Sequence, residues 1–407
     1  YVAEGHAIFA EMLQMIDELS LEGGDLLQKY QSWLDHPAET FAARILALDE
    51  TKGQAAVATE LGLQFYNQAW AHPYQLAGFQ EMELSTQSLL FDAIQKGIET
   101  EVLDRQDQFV KLQHKNHQEL VKNGNMTSKD TYIAPLLMEN KTVTKIVLER
   151  AGFHVPHGET FASIAEAKKA YPRFAQKAFV IKPKSTNYGL GITIFKNEPA
   201  INDFNAGLAL AFAEDDEVII EEFLEGTEYR FFVIDHQVKA VLLRTPANVI
   251  GDGKQTIKEL VSAKNADPLR GTNHRAPLEK IQLGDLEQLM LKEQGFRIDS
   301  IPDKDQQVFL RENSNVSTGG DSIDVTDEMD ESYKQIAVDA VEVLGARISG
   351  IDLIIPDKEK PYETAKDYGI IEANFNPMMH MHIYPYIGQS RRLTIDVLRF
   401  LYPEMAI

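Results

Sequence analysis

Two apolar segments of the sequence carry oxygen-bearing side chains of the kind that bind divalent metal ions. Gly350-Ile351-Asp352-Leu353-Ile354 holds one carboxylate, and Ile371-Glu372-Ala373-Asn374 holds a carboxylate and an amide. Because residues i and i+2 of a strand point to the same side, Glu372 and Asn374 should face the same way. Such oxygens suit Mg²⁺ shared with nucleotide phosphates, whereas a buried carboxylate pair without a metal would repel. We therefore predict a metal site at Asp352, Glu372 and Asn374.

A second candidate is the segment 180–191, VIKPKSTNYGLG, in which an apolar strand ends at Lys182 and runs into a small polar loop. Gly189 and Gly191 would let backbone N–H groups approach phosphate oxygens, and the lysine adds a point charge. Ser185 belongs to the same loop. The pattern is neither a Walker A loop nor a GxGxxG loop. It predicts a phosphate-binding loop, and the alternative is a hairpin turn after a strand.

Acidic and apolar residues meet in a third segment, 219–230, with the sequence IIEEFLEGTEYR. Phe223 and Leu224, at a strand end, are suited to line a slot for an adenine ring. Glu221 and nearby backbone groups are suited to meet the adenine amino group and the ribose. The alternative interpretation is an acidic strand end that is only solvated.

A fourth candidate is Arg311, which precedes a small polar loop that ends with Gly319-Gly320. Arginine can bind a transferring phosphoryl group or a carboxylate in a bidentate manner. The pattern therefore predicts an anion-binding loop, and the alternative is a flexible loop without a ligand.

Histidine pairs are weaker candidates. His380 and His382 have the i, i+2 spacing of half a metal site on a strand. No cysteine or third ligand is near them in the sequence, which favours packing or the lining of a substrate pocket. His154 and His157 flank Pro156 and are interpreted as loop residues.

The elements that position these residues alternate along the chain. Residues 1 to about 78 have helical periodicity and show no chemistry. A helix over Met82–Lys96 then leads into a strand over Ile98–Leu103, and the polar stretch His114–Asp130 is the best linker candidate.

Beyond this stretch, strands and helices are mixed. Asp235-His236 should form a hairpin turn, and hairpins among helices indicate an α+β fold rather than a doubly wound sheet. The predicted helices are Lys141–Ala151 and Glu331–Leu344, and the predicted strands are Ala178–Pro183, Glu217–Phe223, Glu228–Ile234, Val238–Thr245, Gly350–Pro356 and Tyr368–Asn374.

The composition limits the partners. The 407 residues include 40 Lys and Arg against 62 Asp and Glu, a formal net charge of −22, which argues against nucleic acid or an anionic membrane as a partner. There is no cysteine, which excludes disulfides and thiolate metal sites. We find no apolar run near ~18 residues and no signal peptide, and we expect a cytoplasmic protein.

The order of these motifs resembles that of the ATP-grasp ligases, which include D-alanine–D-alanine ligase and cyanophycin synthetase. The segments 246–260 and 315–320 look especially like the cyanophycin-synthetase branch. The resemblance implies two α+β subdomains that clasp ATP. The matching residues, in order, are Lys141, Lys182-Pro183, Glu221 to Glu228, Asp352 and Glu372-Ala373-Asn374.

A narrower resemblance, to the bacterial bifunctional glutathione synthetases, covers residues 79 to 407 densely. Residues 1–78, with HPAETFAARI, look like the tail of a γ-glutamylcysteine ligase module whose catalytic body would lie upstream of Tyr1. The implied domains are a helical remnant over 1–78, an α/β segment and linker over 79–135, and the ATP-grasp domain over 136–407. The resemblance rests on MELSTQSLL, EVLDRQDQF, LMENKTVTK, VIKPKSTNYGLGITIF, GTEYRFFV, STGGDSID and IEANFNPMM.

The resemblance implies a role for each matched residue. The D-alanine ligases carry an arginine two residues before the metal-binding aspartate, where this chain has Gly350. The role of the cation that stabilises the transition state therefore passes to Arg311 or Arg230. The implied roles are phosphate contacts from Lys141, Lys182, Ser185, Gly189 and Gly191; adenosine contacts from Glu221, Phe223, Leu224 and Glu228; binding of Mg²⁺ or Mn²⁺ by Asp352, Glu372 and Asn374; and charge stabilisation by Arg311, Lys182 and Arg230.

The implied reaction joins γ-glutamylcysteine and glycine through an acyl phosphate, with ATP giving ADP and phosphate, in a protein expected to form homodimers. Two alternatives stay open. A cyanophycin-synthetase-like or other amino-acid ligase would use the same nucleotide site, since only the acceptor pocket separates these enzymes. An inactive nucleotide-binding module is the other alternative, against which the intact Lys182, Asp352, Glu372 and Asn374 argue.

Overall fold

The computed structural model describes residues 74–76, 78–184, 191–273, 275–311, 314, 316–364, 367–405 and 407. The helical segment predicted over residues 1–78 therefore lies almost entirely outside the described residues, as do Ser185 and Gly189 of the candidate phosphate loop. In the described part of the chain, no helix is long and apolar enough to cross a membrane.

The described elements agree with most of the predicted ones, whose ends shift by one or two residues. The helices are α1 (Leu84–Gln95), α2 (Ile133–Glu139), α3 (Lys141–Arg150), α4 (Ile164–Lys169), α5 (Tyr171–Phe174), α6 (Ile201–Glu214), α7 (Ile257–Asn265), α8 (Asp285–Glu293), α9 (Glu331–Val343), α10 (His380–Ile383) and α11 (Leu393–Leu401). The strands are β1 (Glu99–Asp104), β2 (Phe109–His114), β3 (His117–Lys122), β4 (Gly158–Phe161), β5 (Phe179–Pro183), β6 (Thr193–Phe195), β7 (Val218–Glu222), β8 (Thr227–Ile234), β9 (Gln237–Thr245), β10 (Asn248–Ile250), β11 (Arg270–Gly271), β12 (Leu278–Glu279), β13 (Gln307–Phe309), β14 (Asp321–Asp324), β15 (Ile348–Ile355) and β16 (Gly369–Asn374).

The chain divides into two compact units. Unit 1 contains the described residues up to Lys129, together with Val261–Lys280 and Met378–Ile407. Unit 2 contains Asp130–Leu260 and Ile281–Pro377. The domain boundaries expected after residues 78 and 135 stay a prediction.

Unit 1 is assembled from segments that lie far apart in the sequence. Strands β1, β2 and β3 form an antiparallel sheet, and α1 packs against α11. Asp92 of α1 is buried and accepts hydrogen bonds from Arg392 and Thr394. Burial raises the pKa of Asp92, and these two donors oppose the shift. The C-terminal segment thus satisfies a polar group that α1 alone would bury without a partner.

The predicted linker His114–Asp130 needs correction, because it contains β3. This strand pairs with β2 from Phe109↔Lys122 to His114↔His117. Only two of its side chains, Glu119 and Val121, are buried, and one of these is charged. A period-two pattern is therefore hard to recognise in the sequence.

The larger sheet of unit 2 has the strand order β14-β9-β8-β15-β16 and is antiparallel throughout. Helix α9 packs on one face, where Phe231 and Val233 of β8 join the core. The alternate residues Glu228 and Arg230 therefore point to the other face. The predicted hairpin between β8 and β9 is present, and φ angles of 45° and 64° at Asp235 and His236 fit a type I′ turn.

The smaller sheet of unit 2 has the order β4-β7-β5-β6, also antiparallel. Phe179, Ile181 and Ile220 pack against Phe204 of α6 and leave the alternate positions, which include Lys182, on the opposite face. Among the described strands only the short pair β11 and β12 is parallel. The predicted α+β class is confirmed.

Candidate active site

Glu221, near the end of β7, is 4% exposed and lies between two lysines. Lys145 of α3 donates to one carboxylate oxygen, and Nζ of Lys182 of β5 lies 2.5 Å from the other. Burial alone would raise the pKa of Glu221, but Lys182 and Lys145 together hold it below its ordinary value. Burial and the charge of Lys182 lower the pKa of Lys145. With the carboxylate ionised and both amines charged, the cluster has a net positive charge that suits an anion.

A glycine allows the approach of β4 to this cluster. Gly158 lies directly opposite Glu221 in the β4–β7 pair. A Cβ atom at position 158 would lie 2.5 Å from Cβ of Glu221, closer than two side chains can be. A larger residue there would displace Glu221 from its lysines.

Asp352 of β15 forms a second buried cluster, and it is 1% exposed. It lies opposite Arg230 of β8, which donates from Nε to Oδ1 and from Nη2 to Oδ2 at 2.7 Å. Nη2 of Arg244 donates to Oδ2 at 3.2 Å. Burial would raise the pKa of Asp352, but Arg230 and Arg244 hold it below its ordinary range. The carboxylate therefore stays ionised although it is buried.

The other two predicted metal ligands lie on the next strand. Asp352 pairs with Glu372 in the β15–β16 register, and Gly350 pairs with Asn374. Residues opposite each other share a face of the sheet, and so do residues i and i+2, so the side chains of Asp352, Glu372 and Asn374 project from one face. Two carboxylates and an amide form an all-oxygen donor set, which suits a hard divalent cation.

Helix α3 brings a cation to each of these two regions. Nζ of Lys141 lies 3.2 Å from Oε1 of Glu372, and Lys145 contacts Glu221. Residues four apart lie on the same face of a helix, so one helix edge reaches both sheets of unit 2. Asn140 caps the helix by accepting from the N–H of Val143 at 3.1 Å. A shallow pocket between α3 and β16 is lined in part by these two lysines and Glu372.

Arg230 occupies the space above Gly350. A Cβ atom at position 350 would lie 3.2 Å from Cδ of Arg230 and 3.5 Å from its Nη1, and 2.8 Å from Cβ of Pro377. A longer side chain at position 350 would therefore collide with this arginine.

Arg311 and Glu228 have other partners. Nε of Arg311 donates to Oε1 of the buried Glu287 at 2.5 Å. Glu228 accepts from Arg244 and, at 3.3 Å, from Oγ of Ser314. Among the contacts of the described residues, none links Arg311 directly to Asp352, and its role at the acyl phosphate stays a prediction.

The remaining predicted nucleotide contacts lie around the ends of β5 and β7. The N–H of Phe223 donates to the carbonyl of Ala178 at 3.0 Å, and Leu224 packs on Gly369. Gly191 has a φ of 70°, in the left-handed region that favours glycine. The contacts of these residues with a nucleotide stay predictions.

Sequence reasoning missed Lys145 and Arg244. Lys145 follows Lys141 by one helical turn, and this spacing was an available signal. Arg244 carried no such signal, because its approach to Asp352 depends on the register of β9 against β8. Both residues complete a buried ion cluster around a predicted site residue.

The histidine predictions had mixed outcomes. His380 and His382 do not lie on a strand, since they begin the short helix α10 in unit 1. Both are buried, which agrees with the packing role that the sequence favoured. His154 and His157 lie in the loop before β4, as predicted.

Comparison with known proteins identifies relatives over the whole chain. Residues 138–374 match the ATP-grasp domain family, and residues 80–133 match an ATP-grasp-like domain. The glutathione biosynthesis bifunctional protein GshAB of Enterococcus faecalis is 62% identical over 406 residues, which are 99% of this chain and 54% of that protein. The protein of the same name from Pasteurella multocida is 52% identical over 410 residues, which are 100% of this chain and 54% of that protein.

A solved structure is also similar. The crystal structure of a bifunctional glutathione synthetase from Pasteurella multocida is 53% identical, with a TM-score of 0.70, and the match covers 100% of this chain and 56% of that one. The chain therefore spans about half the length of these relatives.

The ATP-grasp match covers more than half of the chain and includes every candidate residue from Lys141 to Asn374. ATP and a divalent metal ion are the cofactors that this family implies, and the charged clusters of unit 2 are suited to both. The chain belongs to the ATP-grasp family.

Proposed function

We propose that the chain joins γ-glutamylcysteine and glycine to form glutathione, with ATP as the source of energy and an acyl phosphate as the intermediate. The observation that carries the proposal is a pair of lysines on helix α3. Lys141 contacts an acidic residue of the larger sheet, and Lys145 contacts an acidic residue of the smaller sheet. The relatives named for glutathione biosynthesis support the substrate choice, because their identity extends over the whole chain.

The lysine cluster would bind the nucleotide. Lys182 and Lys145 are 20% and 16% exposed, so an incoming polyphosphate can replace Glu221 as a partner of Lys182. Lys145 would keep Glu221 ionised, and this carboxylate would accept from the adenine amino group. Phe223, Leu224 and Glu228 would contact the adenosine, and Ser185, Gly189 and Gly191 would approach the phosphates.

Asp352, Glu372 and Asn374 would hold Mg²⁺, or Mn²⁺ in its place, because their oxygens project from one face of the sheet. When bound, the ion would neutralise charge on the nucleotide phosphates. Arg230 and Arg244 keep Asp352 ionised and oriented before the ion arrives. Lys141, whose Nζ is 3.2 Å from Oε1 of Glu372, would contact the same phosphates.

The chemistry would proceed in two transfers. The terminal carboxylate of γ-glutamylcysteine attacks the γ-phosphorus of ATP, and ADP leaves with the bridging oxygen. Lys182 and the arginines Arg230 and Arg311 would spread the charge that develops on the transferred group. The neutral amine of glycine then attacks the acyl carbon, and inorganic phosphate leaves as the amide forms.

The test is ADP release by the chain with ATP and Mg²⁺, comparing γ-glutamylcysteine plus glycine with glutamate plus cysteine. We expect turnover with the first pair. Turnover with neither pair, by folded protein that binds ATP, would contradict the proposal and favour another amine acceptor, such as that of a cyanophycin-synthetase-like ligase. Turnover with the second pair would assign the chain a glutamate–cysteine ligase activity.

The same proposal covers the partners of the protein, its cellular location and its oligomeric state. The substrates are small molecules, and a formal charge of −22 disfavours nucleic acid as a partner. We propose that the protein works in the cytoplasm as a homodimer. Light scattering on the purified chain would show twice the mass of 45.8 kDa, and the mass of a single chain would refute the dimer.

A further inference from the structure

Three side chains with metal-binding atoms converge in unit 2 at a place that the proposed reaction does not use. His154 and His157 come from the loop before β4, and Glu222 ends β7. One ligand atom from each of the three lies within 4.8 Å of the others. We propose that these residues form a second metal site, which takes a Zn²⁺-class transition metal ion.

The spacing of the donors fits such an ion. Nε2 of His154 lies 3.3 Å from Oε1 of Glu222. Two ligands of a tetrahedral zinc ion, each at about 2.0–2.1 Å from the metal, lie about 3.3 Å apart. One edge of the coordination polyhedron is therefore already formed, and His157, whose Nδ1 lies 3.2 Å from Oε1 of the exposed Glu149, would supply the third donor.

The tautomer of His154 is fixed in the form that a metal needs. Nδ1 of His154 lies 2.5 Å from the carbonyl oxygen of Tyr368. A carbonyl can only accept, so Nδ1 carries the proton, and the lone pair of neutral His154 is on Nε2, the atom that faces Glu222. In metal sites, the histidine nitrogen that does not bind the metal usually donates a hydrogen bond to a carbonyl or carboxylate, which fixes the orientation of the ring.

The backbone that carries the donors is held in place. The carbonyl of His154 accepts from the N–H of Ile370, and the carbonyl of His157 accepts from the N–H of Glu222, both at 2.9 Å. Val155 and Pro156, between the histidines, are buried. The backbone of this loop is therefore already ordered and loses little conformational entropy when an ion binds.

The site differs from the lysine cluster in its face of the sheet and from the predicted magnesium ligands in its chemistry. Consecutive strand residues point to opposite faces, so Glu221 meets the lysines while Glu222 meets His154. Two imidazoles and one carboxylate prefer zinc, nickel or copper, whereas Asp352, Glu372 and Asn374 offer only oxygens. The side chain of His157 is 62% exposed, which leaves an open path for the ion.

The ion would have a structural effect on the nucleotide-binding segment. It would tie the loop before β4 to the last residue of β7, immediately before Phe223 and Leu224. These two residues belong to the proposed adenosine contacts, so the ion would steady that segment from its other side.

The experiment is a titration of the chelator-treated full chain with ZnCl₂ in excess Mg²⁺, followed by calorimetry. We expect a site that Mg²⁺ does not block and that loses at least about tenfold in affinity in His157→Asn and in Glu222→Gln. His157 is exposed and the glutamate change keeps the shape, so both variants should fold. With Co²⁺ as the probe, the wild-type chain should show the strong visible absorption of a low-symmetry site, and His157→Asn should lose it.

The matched control is His236→Asn. His236 is 48% exposed, with Nε2 at 4.0 Å from Asp235 and Nδ1 at 4.0 Å from Glu342, so its two acids lie near different ring nitrogens and the three groups do not converge on one point. This variant should bind zinc like the wild type. Equal zinc affinity in His157→Asn and the wild type, or the absence of zinc binding in excess Mg²⁺, would overturn the proposal and leave only ion pairs at this loop.

Discussion

Two of the buried carboxylates of unit 2, Glu221 and Asp352, each lie between two cations, and the cations differ. Glu221 lies between lysines that are 16% and 20% exposed. Asp352 lies between arginines that are 8% and 11% exposed. The lysine cluster is thus partly open to solvent, and the arginine cluster is almost closed.

The difference indicates what each cluster can do. A lysine ammonium is a compact charge on a flexible chain, and it can exchange one anion for another. An arginine that donates two hydrogen bonds to one carboxylate fixes its position and orientation. The first cluster is therefore suited to receive a ligand, and the second is suited to hold a ligand-binding group in place.

The largest effect should come from Arg230→Met. The change leaves Asp352 buried without its bidentate partner, which costs about 3–5 kcal/mol of unfolding free energy. Urea unfolding measures this loss. Arg347→Met is the matched control, because the Arg347–Asp235 pair is 38% and 43% exposed and should be worth less than about 1 kcal/mol. Equal losses in the two variants would remove the distinction between a closed and an open pair.

Lys182→Met should mainly affect activity. It removes a charge from the phosphate-binding cluster, while Lys145 still pairs with Glu221, so we expect turnover to fall by about 10²–10³-fold with little loss of stability. ADP release measures the rate. Lys360→Met is the control, since Lys360 is 79% exposed, pairs with Asp357 at 2.8 Å and lies outside every candidate site, so this change should leave the rate unchanged. A wild-type rate in Lys182→Met would refute the assignment of the phosphate site.

Glu221→Gln should lower stability in a pH-dependent way. Its pKa is lowered in the folded state, so its contribution is complete above the ordinary glutamate pKa of about 4.3 and is lost as the pH falls through the lower folded-state value. We expect a deficit of about 1–3 kcal/mol relative to the wild type at pH 6 to 7, from the loss of charged hydrogen bonds. The deficit should shrink below about pH 4 in urea unfolding. A deficit that stays constant down to pH 3 would mean that the ionised carboxylate is not its source.

The smallest change in stability should come from Lys141→Met. Lys141 and Glu372 are 25% and 32% exposed, so their pair is worth less than about 1 kcal/mol. The affinity for ATP should still fall about tenfold, because one charged hydrogen bond to phosphate is lost. Calorimetric titration with ATP measures the change. A large loss of stability with unchanged ATP affinity would make Lys141 a structural residue.

The sequence predicted much of the fold because its signals are local. Because side chains alternate along a strand, the sequence predicts that Glu372 and Asn374 point to the same side, and the register of β15 and β16 agrees with this prediction. The Asp235-His236 turn is predictable because only these two residues separate two segments with the residue pattern of strands.

Features that depend on distant pairing were not predictable in this way. Arg244 reaches Asp352 only through the order of three strands, and no local pattern encodes that order. The strand β3 is hard to recognise in the sequence because it buries only two of its side chains. His380 and His382 alternate with methionines like a strand, but the helix that contains them is too short to show a helical period.

The assembly of unit 1 has a consequence for the time course of its synthesis. Asp92 and Thr394 are 302 residues apart in the sequence. At about 5–20 residues per second, a ribosome needs on the order of 15–60 s to make the chain between them. During this interval α1 has no α11 to pack against, and its apolar side is open to other chains or to a chaperone. All residues of unit 2 precede that point, since the unit ends at Pro377, so a nascent chain should acquire protease resistance in unit 2 before it does so in unit 1.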